Sequence, residues 1–208
     1  MSQLVVSDIG ALKDGTGSLS VMLNAKGGII DDTVVTKMKD DQVYMVVNAG
    51  CREKDLAHMK ALMDDSKLDV KMHVHDERCI FALQGPLAVN VLQPMIDSKF
   101  DLGTLYFGMS MYLDVLGSRC LVTRTGYTGE DGFELSVPNE DALKVATEMV
   151  GDNDRPQGGA RLAGLGARDA LRLEAGLCLY GNDLNEEISP LEAGLAWTVS
   201  YVPFPFFS

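Results

Sequence analysis

The sequence predicts an α+β protein built from antiparallel sheets, with helices packed on one sheet face. Three observations point there. Short β-patterned runs follow one another through tight turns, single helical stretches separate them, and no GxGxxG follows a strand as a parallel dinucleotide-binding sheet requires. A split βαβ-type arrangement in two linked halves fits the same pattern.

Each element has a local reason. Residues 17–23, Gly-Ser-Leu-Ser-Val-Met-Leu, alternate like a half-buried strand, and Asn24-Ala-Lys-Gly-Gly28 is a turn. Residues 29–38 form the return strand of a hairpin. Lys39-Asp-Asp-Gln42 turns the chain again, and 43–47 add a third strand to make a meander. Between 52 and about 65, Leu56, Met59 and Met63 recur at spacings of three and four with acids early, which predicts a helix. Residues 70–74 and 79–83 are β-patterned. Gly85-Pro86 breaks the chain, and Pro86 opens a helix over 87–96. Residues 109–116 and 119–125 form a hairpin around Gly117-Ser118, and 133–137 alternate with period two. Asn139 caps a helix reaching Val150. A Gly- and Pro-containing loop covers 152–161. Residues 165–176 are strongly helical, with Ala167, Leu171 and Ala175 on one side, and Gly181-Asn-Asp is a turn. The final Ser200-Tyr-Val-Pro-Phe-Pro-Phe-Phe-Ser208 has no periodicity of either kind.

Composition excludes several classes of function. The net charge of −12 makes nucleic acid and anionic membrane poor partners, because Lys and Arg supply most affinity for phosphate backbones. No apolar run approaches the ~20 residues of a membrane span. The opening Met-Ser-Gln-Leu-Val-Val-Ser-Asp has neither the basic region of a secretory signal nor the arginines of a transit peptide. Cys51, Cys79, Cys120 and Cys178 are widely spaced without a CxxC pair, which reads as reduced thiols rather than a zinc framework. His73 and His75, with Cys79 close behind, admit a metal site, but such alternation is far more common on a solvated strand. No metal is assigned.

The segment richest in chemistry is Arg124-Thr-Gly-Tyr-Thr-Gly-Glu-Asp-Gly-Phe-Glu134. Its glycines permit positive φ and close backbone approach. It displays a tyrosine ring and carboxylates, which suit an electron-poor, hydrogen-bond-donating heterocycle better than a phosphate. A hairpin loop with solvated acids is the competing reading.

Three further groups carry the same ambiguity. Asp31-Asp32 follows Gly27-Gly28: neighbouring carboxylates can drive their pKa values apart and hold a general base, but Asp is also ordinary at turns. Asn48, before the first helix, can bond the edge of a heterocycle or cap that helix, and consecutive strands can place it in one pocket with Asp32. Arg168 and Arg172 are four apart. Arg168 lies near the positive end of a helix dipole, where it suits an anion, although an ion pair explains either arginine alone. Trp197 and Tyr180 are candidate ring contacts, although such residues are more often core, and the methionines around 59, 63, 109 and 111 read as core filler.

Five motifs then occur in order: Lys26-Gly-Gly-Ile-Ile-Asp-Asp32; Val46-Val-Asn-Ala-Gly-Cys-Arg-Glu-Lys-Asp55; Ala82-Leu-Gln-Gly-Pro86; the Arg124–Glu134 segment; and Leu165-Gly-Ala-Arg-Asp-Ala-Leu-Arg-Leu-Glu-Ala-Gly-Leu-Cys-Leu-Tyr-Gly-Asn-Asp183. Together they resemble the aminomethyltransferase of the glycine cleavage system, the T-protein, from about Leu4 to Trp197. The last motif is more similar to T-protein than to the folate domains of sarcosine and dimethylglycine dehydrogenases.

The resemblance implies tetrahydrofolate-dependent transfer. An aminomethyl group on the lipoyl arm of H-protein passes to tetrahydrofolate, giving 5,10-methylenetetrahydrofolate and ammonia. Asp32 matches the catalytic aspartate, Glu134 the glutamate that grips the pterin, Arg168 a folate-contacting arginine, and Asn48 and Tyr127 positions lining the pocket. The implied partners are lipoylated H-protein and folate, in the mitochondrial matrix, although no transit peptide is visible. Against the family pattern the chain is expected to be truncated at both ends. Residues 1–199 would be the central folate-binding region, incomplete at its N-terminus, residues 200–208 an out-of-family tail, and the C-terminal barrel domain missing. Losing those flanks would expose apolar faces. A non-catalytic folate-binding module and an inert fragment are the alternatives.

Overall fold

The computed structural model describes residues 3–66, 69–97, 99–151 and 159–200. They divide into two compact units, Met1–Met72 with Cys178–Ser208, and His73–Leu177.

The first unit is built on a meander of β1 (Thr16–Leu23), β2 (Ile29–Lys37) and β3 (Val43–Val47), antiparallel in the order β1-β2-β3. The first turn is held by one side chain. Asn24 Oδ1 accepts from the amides of Lys26 (2.9 Å) and Gly28 (3.0 Å), while its Nδ2 donates to the Glu186 carbonyl (2.9 Å). Gly28 is required there because a Cβ would overlap that same carbonyl. Gly28→Ala is expected to destabilise the unit by about 1–3 kcal/mol, the usual cost of overpacking, measured by denaturant unfolding; an unchanged midpoint would contradict the close approach. In the second turn Asp40 and Asp41 adopt φ of 58° and 57°, a conformation that Asp tolerates better than most residues.

Period-two alternation makes adjacent residues of β1 and β2 feed different clusters. Met22 and Ile30 join Val5, Ile9 and Val35, whereas Val21 and Ile29 join Leu184 and Leu195. After β3 a 3-10 turn leads into α1 (Arg52–Ser66), whose Met59 packs on the Val35 cluster.

The second unit carries β4 (Arg78–Gln84), α2 (Ala88–Leu92), β5 (Ser110–Val115), β6 (Ser118–Arg124), β7 (Gly132–Pro138), α3 (Ala142–Val150) and α4 (Leu165–Glu174). Its strands are antiparallel in the order β4-β7-β6-β5, so β7 is central. Phe133, Leu135 and Val137 point from β7 into one core with Leu83, Val115, Cys120 and Val122, and Leu92 of α2 and Val145 of α3 cover that face. The antiparallel α+β architecture is therefore the one expected.

Several local expectations are corrected. Residues 70–74 form no strand: Val70, Met72 and Val74 are 52%, 41% and 37% exposed, and without a neighbour to pair with, their alternation buys no ladder. The helix after Gly85 is shorter than 87–96, with Leu87 at its N-cap and a 3-10 turn at Gln93–Met95 finishing it, because Pro94 disfavours a continued α-helix. The hairpin turn is Leu116-Gly117, both at positive φ, one residue earlier than read. Asn139 does not cap α3. It opens a 3-10 turn, and its Nδ2 donates to the Asp76 carbonyl (2.9 Å). Trp197 is 66% exposed rather than core. Most of the 152–161 loop, and 201–208 of the tail, lie outside the described residues.

Candidate functional site

The first unit gathers acids at the start of β2. Alternation puts Asp31 inside, fully buried, and leaves Asp32 half-buried. The β2–β3 register pairs Thr33 with Val47, and one step further brings Asn48 opposite Asp32. Asn48 clamps both acids. Its Nδ2 donates to Asp32 Oδ1 (2.8 Å) and Asp31 Oδ1 (2.9 Å), and its backbone N–H donates to Asp31 Oδ2 (3.1 Å). Its side chain therefore does not cap the following 3-10 turn. Burial and the Asp31 charge raise the pKa of Asp32 above the ordinary carboxylate value, and the Asn48 hydrogen bond opposes them. The result is a carboxylate with increased proton affinity and one fixed oxygen.

Sequence reasoning missed the groups behind it. Cys51 and Asp55 are buried, and Lys54 Nζ donates to the Ile30 carbonyl (2.5 Å) and the Tyr180 hydroxyl (2.6 Å), with Glu186 at 3.7 Å. A signal existed. Cys51, Asp55, Met59 and Met63 repeat every four residues, so one acid sits in the apolar stripe of α1, where it reads at first as a charge favouring the helix start.

The second unit holds the other predicted residues. Glu134 lies on β7, paired with Ala82 of β4 and Thr123 of β6. It is half-buried and makes no hydrogen bond to another described residue. Burial raises its pKa, and the charge of Arg168 counters this. The Arg168 guanidinium stacks 4.5 Å from the centroid of the Tyr127 ring, within cation–π range. Arg172, four residues on, behaves differently: it is buried, with Nε donating to Asp169 (2.8 Å) and Nη1 to the Leu177 carbonyl (3.2 Å). Arg172 is thus the structural ion pair, and Arg168 presents its charge beside a ring.

The glycine-rich segment is the hairpin loop between β6 and β7, with Glu130 exposed, but Asp131 within it is not simply solvated. Arg124 grips Asp131 through two bonds of 2.8 and 2.7 Å and donates to the Leu105 carbonyl (2.9 Å). Gln84 fills the loop, donating to the Thr125 carbonyl (3.0 Å) and accepting from the Thr128 hydroxyl (3.0 Å). Gly126 packs against Gln84 where a Cβ would overlap it. The loop carrying Tyr127 is thereby prebuilt.

His73, His75 and Glu77 bring potential ligand atoms within 4.8 Å, all exposed. His75 Nδ1 and Glu77 Oε1 are 2.7 Å apart, and that bond draws the Glu77 pKa down to about 2. Cys79 stands apart, its Sγ directed at the Val137 carbonyl (3.7 Å).

The chain is similar to known proteins over almost all of its length. The chain is 58% identical over 202 residues to the mitochondrial aminomethyltransferase of Mesembryanthemum crystallinum and 56% over 202 residues to that of Pisum sativum, covering 96% of this chain and 48% of each relative. The mitochondrial aminomethyltransferase of Mus musculus is 45% identical over 203 residues. The crystal structure of the glycine cleavage system aminomethyltransferase T from Bartonella henselae superposes with a TM-score of 0.82 at 35% identity, covering 96% of this chain and 51% of that one. The chain thus spans about half the length of the relatives it matches. The GCVT N-terminal domain family matches residues 1–202, every predicted site residue included, and this chain belongs to that family.

Proposed function

We propose that this chain carries the folate-dependent part of an aminomethyl transfer: the aminomethyl group on the lipoyl arm of H-protein passes to tetrahydrofolate, yielding 5,10-methylenetetrahydrofolate and ammonia in the mitochondrial matrix. The observation that carries this reading is Asp32, a half-buried carboxylate with raised proton affinity and one oxygen fixed by Asn48. Such a group can take the proton from an attacking folate nitrogen and stabilise iminium-like charge as it develops. Glu134 supports it. A carboxylate with no hydrogen bond among the described residues suits the amino group and ring N–H of a pterin, and Arg168 and Tyr127 supply charge and a ring face.

The test is direct. Aminomethyl-loaded H-protein and tetrahydrofolate are mixed with this chain, and methylenetetrahydrofolate and ammonia are measured. Product above the protein-free background supports transfer. A tetrahydrofolate-dependent rise in melting temperature without product leaves a non-catalytic folate-binding module. Neither product nor a cooperative melt leaves the inert fragment.

Two predictions attach to this reading. Glu134→Ala weakens tetrahydrofolate binding by about 1.5–3 kcal/mol, the range for hydrogen bonds to a charged group, or roughly 10- to 150-fold in Kd by calorimetry; unchanged affinity removes Glu134 from the pocket. The second concerns pH. The base form of Asp32 is the active one and its folded pKa is raised, so activity falls with decreasing pH through a value above the ordinary ~3.9 of aspartate. An acid limb at or below that value would contradict the assignment.

A further inference from the structure

Asp55 of α1 is fully buried, and neither of its carboxylate oxygens has a hydrogen-bond partner among the described residues. It stands in the first turn of the helix, yet it does not cap a backbone amide. The carboxyl of Asp31, equally buried, lies close enough to raise the proton affinity of Asp55. Asp31 is already engaged by the Asn48 backbone N–H at one oxygen (3.1 Å) and Asn48 Nδ2 at the other (2.9 Å). Two ionised carboxylates close together away from water repel, and neither has a hydrogen to give. One proton between them turns that repulsion into a short O–H···O⁻ bond. The partners decide where it sits: Asp31 receives two N–H donors that favour its charge, and Asp55 receives none.

The surrounding groups do not neutralise the pair. Asp32 on β2 adds negative charge, and the charge of Lys54, whose Nζ is bonded to the Ile30 carbonyl and the Tyr180 hydroxyl with Glu186 nearby, opposes burial and Asp31 without outweighing them. Cys51, one turn earlier, also faces Asp31, and burial with that charge pushes its thiol up to about 11, so it contributes no anion.

We propose that Asp55 is a positioning residue that keeps its proton and donates it to Asp31, fixing the carboxylate that orients Asn48 against Asp32. The proposal rests on the reading of Asp32 as the catalytic carboxylate. Burial, followed by Asp31, raises the pKa of Asp55 to about 8. Above that value a further negative charge joins Asp31 and Asp32, the contact becomes repulsive, and the Asn48 clamp loosens. The linkage has one sign. The folded pKa lies above the unfolded value of 3.8, so this group's contribution to stability is complete below 3.8 and is lost as pH rises to about 8.

The experiment compares the full chain with Asp55→Asn, whose amide can donate to Asp31 but cannot titrate. Carbon-13 carboxyl spectra of aspartate-labelled protein are expected to show one aspartic acid still protonated at neutral pH, titrating near 8 and missing from Asp55→Asn. Ionisation of every aspartate by about pH 6 overturns the proposal. Melting temperatures of the wild type are expected to fall relative to Asp55→Asn as pH rises from about 4 to about 8, and parallel curves count against it. In the transfer assay the wild type loses rate above about pH 8 while Asp55→Asn does not; an identical alkaline limb in both overturns the positioning role. Asp55→Ala, lacking a donor, lowers kcat at every pH with the tetrahydrofolate KM little changed. Absence of transfer in every variant counts against the functional reading alone, and the spectra and melts still decide the proton.

Discussion

Replacing Asp32 with alanine is expected to lower the aminomethyl transfer rate about 10²- to 10⁴-fold, the range for loss of a positioned acid–base group, with tetrahydrofolate affinity nearly intact. The split follows from geometry. The Asp32 side chain is tied to Asn48 by one 2.8 Å bond, and the second acid that Asn48 holds, Asp31, keeps both of its own bonds when Asp32 is truncated. The clamp therefore survives and the proton acceptor is lost. Asp32→Asn sharpens the test, because its side-chain oxygen can still accept from Asn48 while the group no longer takes a proton at working pH. Single-turnover transfer beside calorimetric folate binding distinguishes the cases, and equal losses of rate and affinity would refute the role given to Asp32.

Phe133→Ala is expected to cost about 3–5 kcal/mol, against a total stability of roughly 5–15 kcal/mol for a typical domain. Phe133 is the largest fully buried side chain among the described residues. It lies on central strand β7, paired with Leu83 on one side and Arg124 on the other, and its ring lies 5.5 Å from the Arg124 guanidinium carbon. Removing it leaves a cavity beside the Arg124–Asp131 pair that braces the Tyr127 loop, and loosens the strand that presents Glu134. The urea midpoint of the second unit should fall, with folate binding weakened at temperatures where the wild type still binds. A loss below about 1 kcal/mol would mean that the core collapses around the missing ring.

Much of this was legible in the chain because the physics is local. The β-patterned runs 17–23 and 29–38, joined by a tight turn, located β1 and β2 to within a residue, and their alternating side chains feed two different clusters. Gly126 and Gly132 marked a tight loop before any contact was known. The failures share a cause as well. Residues 70–74 alternate like a strand, but a strand exists only when another segment pairs with it. Asn139 has the chemistry of a cap, yet its amide is taken by Asp76, 63 residues earlier in the chain. Asp55 looks in the sequence like a favourable charge at a helix start, because the buried Asp31 that acts on it lies 24 residues away.

From residue order and type alone came the antiparallel α+β class, the order of elements and the five motifs, while the candidate roles of Asp32, Asn48, Tyr127, Glu134 and Arg168 came from the family resemblance that those motifs carry. The class, order and motifs are encoded by side-chain chemistry at short spacing, which a single chain displays directly. Folding in three dimensions assigned their states. It buried Asp31 beside Asp55 across a 24-residue separation, hung both Asp31 and Asp32 on one asparagine, and parted Arg168 from Arg172, one stacked on a ring and the other sealed in an ion pair. Protonation and partner choice depend on local dielectric and on which distant groups arrive within about 3 Å, and neither exists until the chain has packed.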